Sequence, residues 1–219
     1  MVLEEEGLID PQIQGSKYLG DKTSKAFRAQ QPSVPDHLNC ALWLSNLSPV
    51  TREADLIQEI RTGAVYAVHI RPPKDGYITA GANVVFMKHS GAEAFLQQSE
   101  TNNGIRVLGA RIKVIYNKHG HLDYPHPDRS RVLQIRGPAE DMTQDFWERY
   151  FKKCVKYQLS HTRQMHSDVP GKMVMEFGFA RFDGQAEPLH LAINIEEKFR
   201  GIYEVCYAPD PCEPNPTFN

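Results

Sequence analysis

Leu42-Trp43-Leu44-Ser45-Asn46-Leu47 is the stretch on which the reading of this chain turns. Its apolar residues fall at every second position, the period of a strand with one face on a core and the other turned outward. Leu42 and Leu44 point one way, and Trp43 and Ser45 the other. A second stretch, Phe177-Gly178-Phe179-Ala180-Arg181-Phe182, alternates rings with small or charged residues. An aromatic ring on an open sheet face is costly in water unless it meets a flat partner.

Around these stretches one order of elements occurs twice. In the first half, Cys40 to Leu47 predicts a strand. A helix over Arg52 to Arg61 follows, with Thr51 placed to cap the amides of Glu53 and Ala54. Strands are expected over Val65 to Ile70 and Ala82 to Met87, then a helix opened by Ser90, then a strand over Ala110 to Tyr116. In the second half, a strand over Arg131 to Arg136 precedes a helix from Thr143 to Cys154. Val155 to Thr162 and Gly171 to Phe182 read as strands with an Asp183-Gly184 turn after them. A helix from Glu187 to Phe199 and a strand over Tyr203 to Ala208 complete the repeat, Pro188 being tolerated in the helix's first turn. The expected fold class is therefore α+β: two ferredoxin-like βαββαβ sandwiches, each a four-stranded antiparallel sheet with two helices on one face. The units are expected over 38–117 and 130–208, joined by a linker over 118–129. Residues 1–37 read as a disordered arm, and 209–219 as a Pro-rich tail that can be neither helix nor central strand.

This order, with these two stretches, resembles the RNA recognition motif family, and the resemblance covers both units. The first stretch matches the family's apolar-aromatic-apolar-x-Asn-Leu sheet motif in full. The second matches the aromatic-Gly-aromatic centre and the final aromatic of the other motif. Each unit departs from the pattern. In the first, Gly81 and Asn83 stand where the family places stacking rings. In the second, Gln134 stands where the first-strand ring is expected, and Glu176 replaces a small residue.

The resemblance implies single-stranded RNA as the partner, held by base stacking on Trp43, Phe177 and Phe179. Asn46, Asn83, Gln134 and Arg136 are the candidate polar contacts, and Arg111 and Lys113, alternating outward beside Trp43, the candidate phosphate contacts. An opposing pattern stays open: Met173, Met175, Phe177 and Phe179 share one parity, as a core face would. On the RNA register Glu176 points inward, and a shift of one residue reverses every side chain. The alternative function is a protein-interaction module of an RNA-processing complex, suggested by the missing rings.

Charge limits the partner. The formal net charge is −2, yet 38–117 carries eight basic against six acidic side chains, and 130–208 eleven of each. Any basic footprint is a local patch. The chain shows no Gly-rich phosphate loop, Gly-x-Ser-x-Gly elbow or His-Glu-x-x-His helix, so catalysis is not expected. Cys40, Cys154, Cys206 and Cys212 form no Cys-x-x-Cys pair, and His119, His121 and His126 lack a ligand set beside them; no metal or cofactor is expected. No apolar run reaches the roughly 18 residues of a membrane helix. The acidic opening Met1-Val2-Leu3-Glu4-Glu5-Glu6 is unlike a secretory leader, so nucleus or cytoplasm is the expected location.

Overall fold

The computed structural model describes residues 34–74 and 76–215. The first unit runs β1 (Ala41–Leu47), α1 (Glu53–Ile57), β2 (Val65–Arg71), β3 (Ala80–Phe86) and α2 (His89–Glu100). A small hairpin of β4 (Arg106–Val107) and β5 (Ala110–Arg111) then leads into β6 (Lys113–Tyr116). The second runs β7 (Val132–Pro138), α3 (Gln144–Cys154), β8 (Leu159–His166), β9 (Lys172–Phe179), α4 (Glu187–Ile195) and β10 (Glu204–Tyr207). The sheets are ordered β2-β3-β1-β6 and β10-β7-β9-β8, with every pairing antiparallel. The expected pair of four-stranded α+β sandwiches is therefore what forms.

Alternation sets the cores. Leu42, Leu44, Val84 and Phe86 of the first sheet pack with Phe95 of α2. Leu133, Ile135, Phe177 and Phe179 of the second pack with Trp147 and Phe151 of α3. Thr143 caps α3 by accepting the Phe146 N–H at 3.3 Å. α1 is shorter than its apolar spacing predicts and is capped differently. Asp55, not Thr51, closes its start by accepting the Arg52 N–H at 2.9 Å. The hydroxyl of Thr51 is buried, with no partner among the described residues. The single strand expected over Ala110 to Tyr116 is interrupted at Ile112, where the β4–β5 hairpin hands over to β6. Of the arm, 1–33 lies outside the described residues, and Asp36–Leu38 forms a 3-10 turn.

The linker folds back over the first sheet. Cys40 N–H donates to the His121 carbonyl and Tyr124 N–H to that of Met87, so the strap crosses where β1 begins and β3 ends. Ala41, Ala67 and Val85 are buried as a small cluster there, with Tyr66 against it. The tail is also built in. Asp210 is 1 % and Cys212 2 % exposed, so the Pro-rich tail, neither helix nor strand, is packed into the fold. Asp210 accepts Arg131 Nε at 2.8 Å and Nη2 at 2.6 Å, the backbone N–H of Val65 at 2.9 Å and that of Cys212 at 3.0 Å. One carboxylate thus joins β2 of the first unit to the start of the second. Gly63 N–H donates to the Cys212 carbonyl, and Val68 N–H to that of Ala180. Tyr66, Tyr124 and Phe182 complete the seam with ring centroids 5.0–5.7 Å apart.

Candidate functional site

On the first sheet, register places Asn83 directly across from Trp43 on one side and Ile115 on the other, with His69 opposite Asn83. Lys113 lies opposite Ser45. These residues share the face opposite the one on which the described helices pack. Trp43 is half-buried because it lies across Gly81: a Cβ there would sit 2.5 Å from the indole Cζ2. The glycine that replaces a ring in the family pattern is the floor on which the surviving ring rests. The Arg71 guanidinium carbon stands 5.8 Å from the Trp43 ring centroid, within cation–π range. Trp43, Arg71, Asn83, Asn117 and His119 line a cavity of about 180 Å³. Burial, then the charges of Arg71 and Arg181, hold His69 below its ordinary value.

Two other candidates of this unit are already engaged. Asn46 sits at a positive φ of 66° and donates to the Arg111 carbonyl at 2.7 Å, which fastens the irregular end of β1. Arg111 donates from Nη2 to the Thr101 carbonyl at 2.9 Å and from Nη1 to that of Asn102 at 3.4 Å. Its guanidinium fastens the loop after α2 instead of standing free for phosphate. Asn117, which the sequence reading did not single out, enters the site because it continues β6 on the parity of Lys113 and Ile115.

The second sheet corrects the reading of its rings. Phe177 and Phe179 do not stand on the open face; both are fully buried, and Phe151 meets Phe177 edge-on at 5.0 Å. The apolar parity of Met173, Met175, Phe177 and Phe179 prevails over the motif register, because the opposite register would put Glu176 into the core. Turned outward, Glu176 lies opposite Gln134 on one side and Arg163 on the other. It accepts Gln134 Nε2 at 2.8 Å and Arg163 Nη2 at 3.0 Å, with His161 Nε2 at 3.3 Å. The His161 ring rests over Gly178 as Trp43 does over Gly81. Arg136 pairs with Asp168 at 3.4 Å and Glu204 at 3.6 Å. Gln134 and Arg136 are thus tied into a face whose charges neutralise one another, and no Phe, Tyr or Trp occupies its outward positions on β7, β8, β9 or β10. Pro209 and Pro211 of the tail flank this face.

Burial alone would raise the Glu176 carboxyl; the hydrogen bonds from His161 and Gln134 and the charge of Arg163 outweigh it and lower it from 4.5 to about 2. A carboxylate whose folded-state value lies below its unfolded one stabilises the fold above the unfolded value, and this is lost as pH falls toward the folded one. Glu176→Gln is expected to flatten that acid limb between pH 4.5 and about 2. Urea midpoints at pH 7 and pH 3 check it: the gap between wild type and variant narrows at pH 3, and an unchanged gap contradicts the network.

Among the described residues, no group of three His, Cys, Asp or Glu could hold a metal ion, and no helix is long and apolar enough to cross a membrane. No protein-family model matches the chain, and no curated protein matches it by sequence. Solved structures do. The C-terminal RNA recognition motif of the U11/U12 65K protein is 21 % identical, covering 44 % of this chain and 81 % of its own, with a TM-score of 0.30. RNA recognition domains 1 and 2 of Sex-lethal from Drosophila melanogaster are 20 % identical, covering 78 % of this chain and all of theirs, with a TM-score of 0.29. The first two such domains of the yeast poly(U)-binding protein are 13 % identical, covering 77 % and 98 %, with a TM-score of 0.30. The fold assignment stands on the strand order itself.

Proposed function

We propose that this chain is a non-catalytic RNA-binding protein of the RNA recognition motif type, in which the first sheet takes single-stranded RNA and the second unit serves as a fixed support. The observation that carries this reading is Trp43. It lies across Gly81, on a face that no helix among the described residues covers, with Arg71 beside its ring and Asn83 across from it. A base stacked on such a ring gains roughly 1–3 kcal/mol. With one platform in place of three, the interaction is weak and confined to very few nucleotides. The nucleus or cytoplasm is the compartment that this function implies.

Trp43→Ala is expected to weaken binding of a single-stranded RNA decamer about tenfold, as read by fluorescence anisotropy. Undiminished affinity removes sheet-face recognition. A second reading, a protein contact within an RNA-processing assembly, has its own observation. α4 leaves Leu191 56 % and Ile195 73 % exposed on the helical side of the second unit. Ile195 there borders a cavity of about 430 Å³ with Tyr150 and Ala192.

A further inference from the structure

The polarity of the Trp43 cavity is fixed by a chain of hydrogen bonds that starts at the backbone. The His119 N–H can only donate, and it meets the side chain of Asn117 at 3.1 Å, so the Asn117 atom facing it is the oxygen. The amide nitrogen of Asn117 is therefore the atom 2.7 Å from Asn83, and the Asn83 atom that receives it is its oxygen. This leaves Asn83 Nδ2 without an acceptor among the described residues, beside the ring its own strand position faces. Arg71 adds only donors to the same cavity, and among the described residues no carboxylate lines it. The pocket is a stacking floor with the donors of Asn83 and Arg71 on its rim, beside the imidazole of His119.

We propose, on the basis that the sheet face binds RNA, that this cavity selects keto bases over amino bases. Asn83 Nδ2 donates to the exocyclic carbonyl of a base stacked on Trp43, O4 of uracil or O6 of guanine. Cytosine and adenine carry an amino group at that position. There donor meets donor, and two desolvated N–H groups are left without partners. The Asn117–His119 relay is the specificity device: it holds the Asn83 amide in one of its two flips, which a free asparagine would not keep.

The test is a set of anisotropy titrations of the full chain. A uridine decamer is compared with a cytidine decamer, and a mixed decamer with central adenine is compared with the same decamer carrying hypoxanthine, whose six position is a carbonyl. Tighter binding of uridine over cytidine by about tenfold, and of hypoxanthine over adenine in the same sense, is the expected result. Asn83→Asp keeps an oxygen for Asn117 but presents an acceptor to the base, so the uridine-to-cytidine ratio is expected to invert even as total affinity falls. Equal affinity of wild type for uridine and cytidine overturns the keto selection while leaving RNA binding intact. An Asn83→Asp variant with the wild-type ratio overturns it as well. No binding of any decamer overturns both this inference and the RNA reading beneath it, whereas a strong uridine preference that survives Trp43→Ala places selection somewhere other than this cavity.

Discussion

Asp210→Ala is expected to cost about 3–5 kcal/mol of stability, the range for removing one partner of a buried ion pair. The size follows from what remains. Arg131 is fully buried, and without the carboxylate its guanidinium keeps only Ser160 Oγ at 2.8 Å, the Phe179 carbonyl at 2.8 Å and the Cys212 sulfur at 3.3 Å. The Val65 N–H on β2 loses its acceptor in the same step. The pair itself need not be worth this much, because desolvating two charges offsets most of their attraction. Replacing both, Arg131→Met with Asp210→Leu, is therefore expected to be milder than Asp210→Ala alone, and a double-mutant cycle measures the coupling. The two tryptophans report separately: Trp43 belongs to the first sheet and Trp147 to the core of the second unit. In wild type their urea transitions are expected to coincide, since the seam ties the units together. In Asp210→Ala they separate. Coincident transitions at the wild-type midpoint would show that the latch carries no load.

Local pattern made the fold legible. The alternation of Leu42 to Leu47, the Asp183-Gly184 turn and the amphipathic run Phe146 to Phe151 each report a choice made by neighbours in sequence. The turn has Gly184 at a φ of 70°, and the run buries Trp147 and Phe151. What stayed hidden depends on partners far along the chain. Arg131 and Asp210 lie 79 positions apart, and Asp210 and Val65 145, so nothing near Pro209 or Pro211 marks that segment as a latch. The site was half legible for the same reason. Trp43 and Asn83 follow from motif and register, but the Asn117 relay needs the turn that brings the His119 amide back onto its own strand end. The second face misled because two signals conflicted. A short aromatic motif argued for rings outward; hydrophobic parity over four positions argued for rings inward. Parity prevails where it sets a whole strand's burial, and Glu176 then finds partners 13, 15 and 42 residues away.

Phe177→Ala separates those two signals experimentally. With the ring in the core, truncation is expected to lower stability by about 3–5 kcal/mol, the range for emptying a buried Phe site. The cavity it leaves faces Phe151, whose edge-on contact at 5.0 Å is also lost. RNA affinity, measured at a temperature where the variant remains folded by circular dichroism, is expected to stay within about twofold of wild type, because the ring never reaches the open face. Trp43→Ala gives the opposite pair of effects: the ring is half-buried, so less packing is lost, while affinity falls about tenfold. The two substitutions together form a cross in which each aromatic controls one observable. Were Phe177→Ala to abolish binding at an unchanged urea midpoint, the rings of β9 would have to face the ligand, with Glu176 turned into the interior. That arrangement would break its contacts to Gln134, Arg163 and His161 at once, and it is the loss of those three partners that makes the register with rings outward the costlier one.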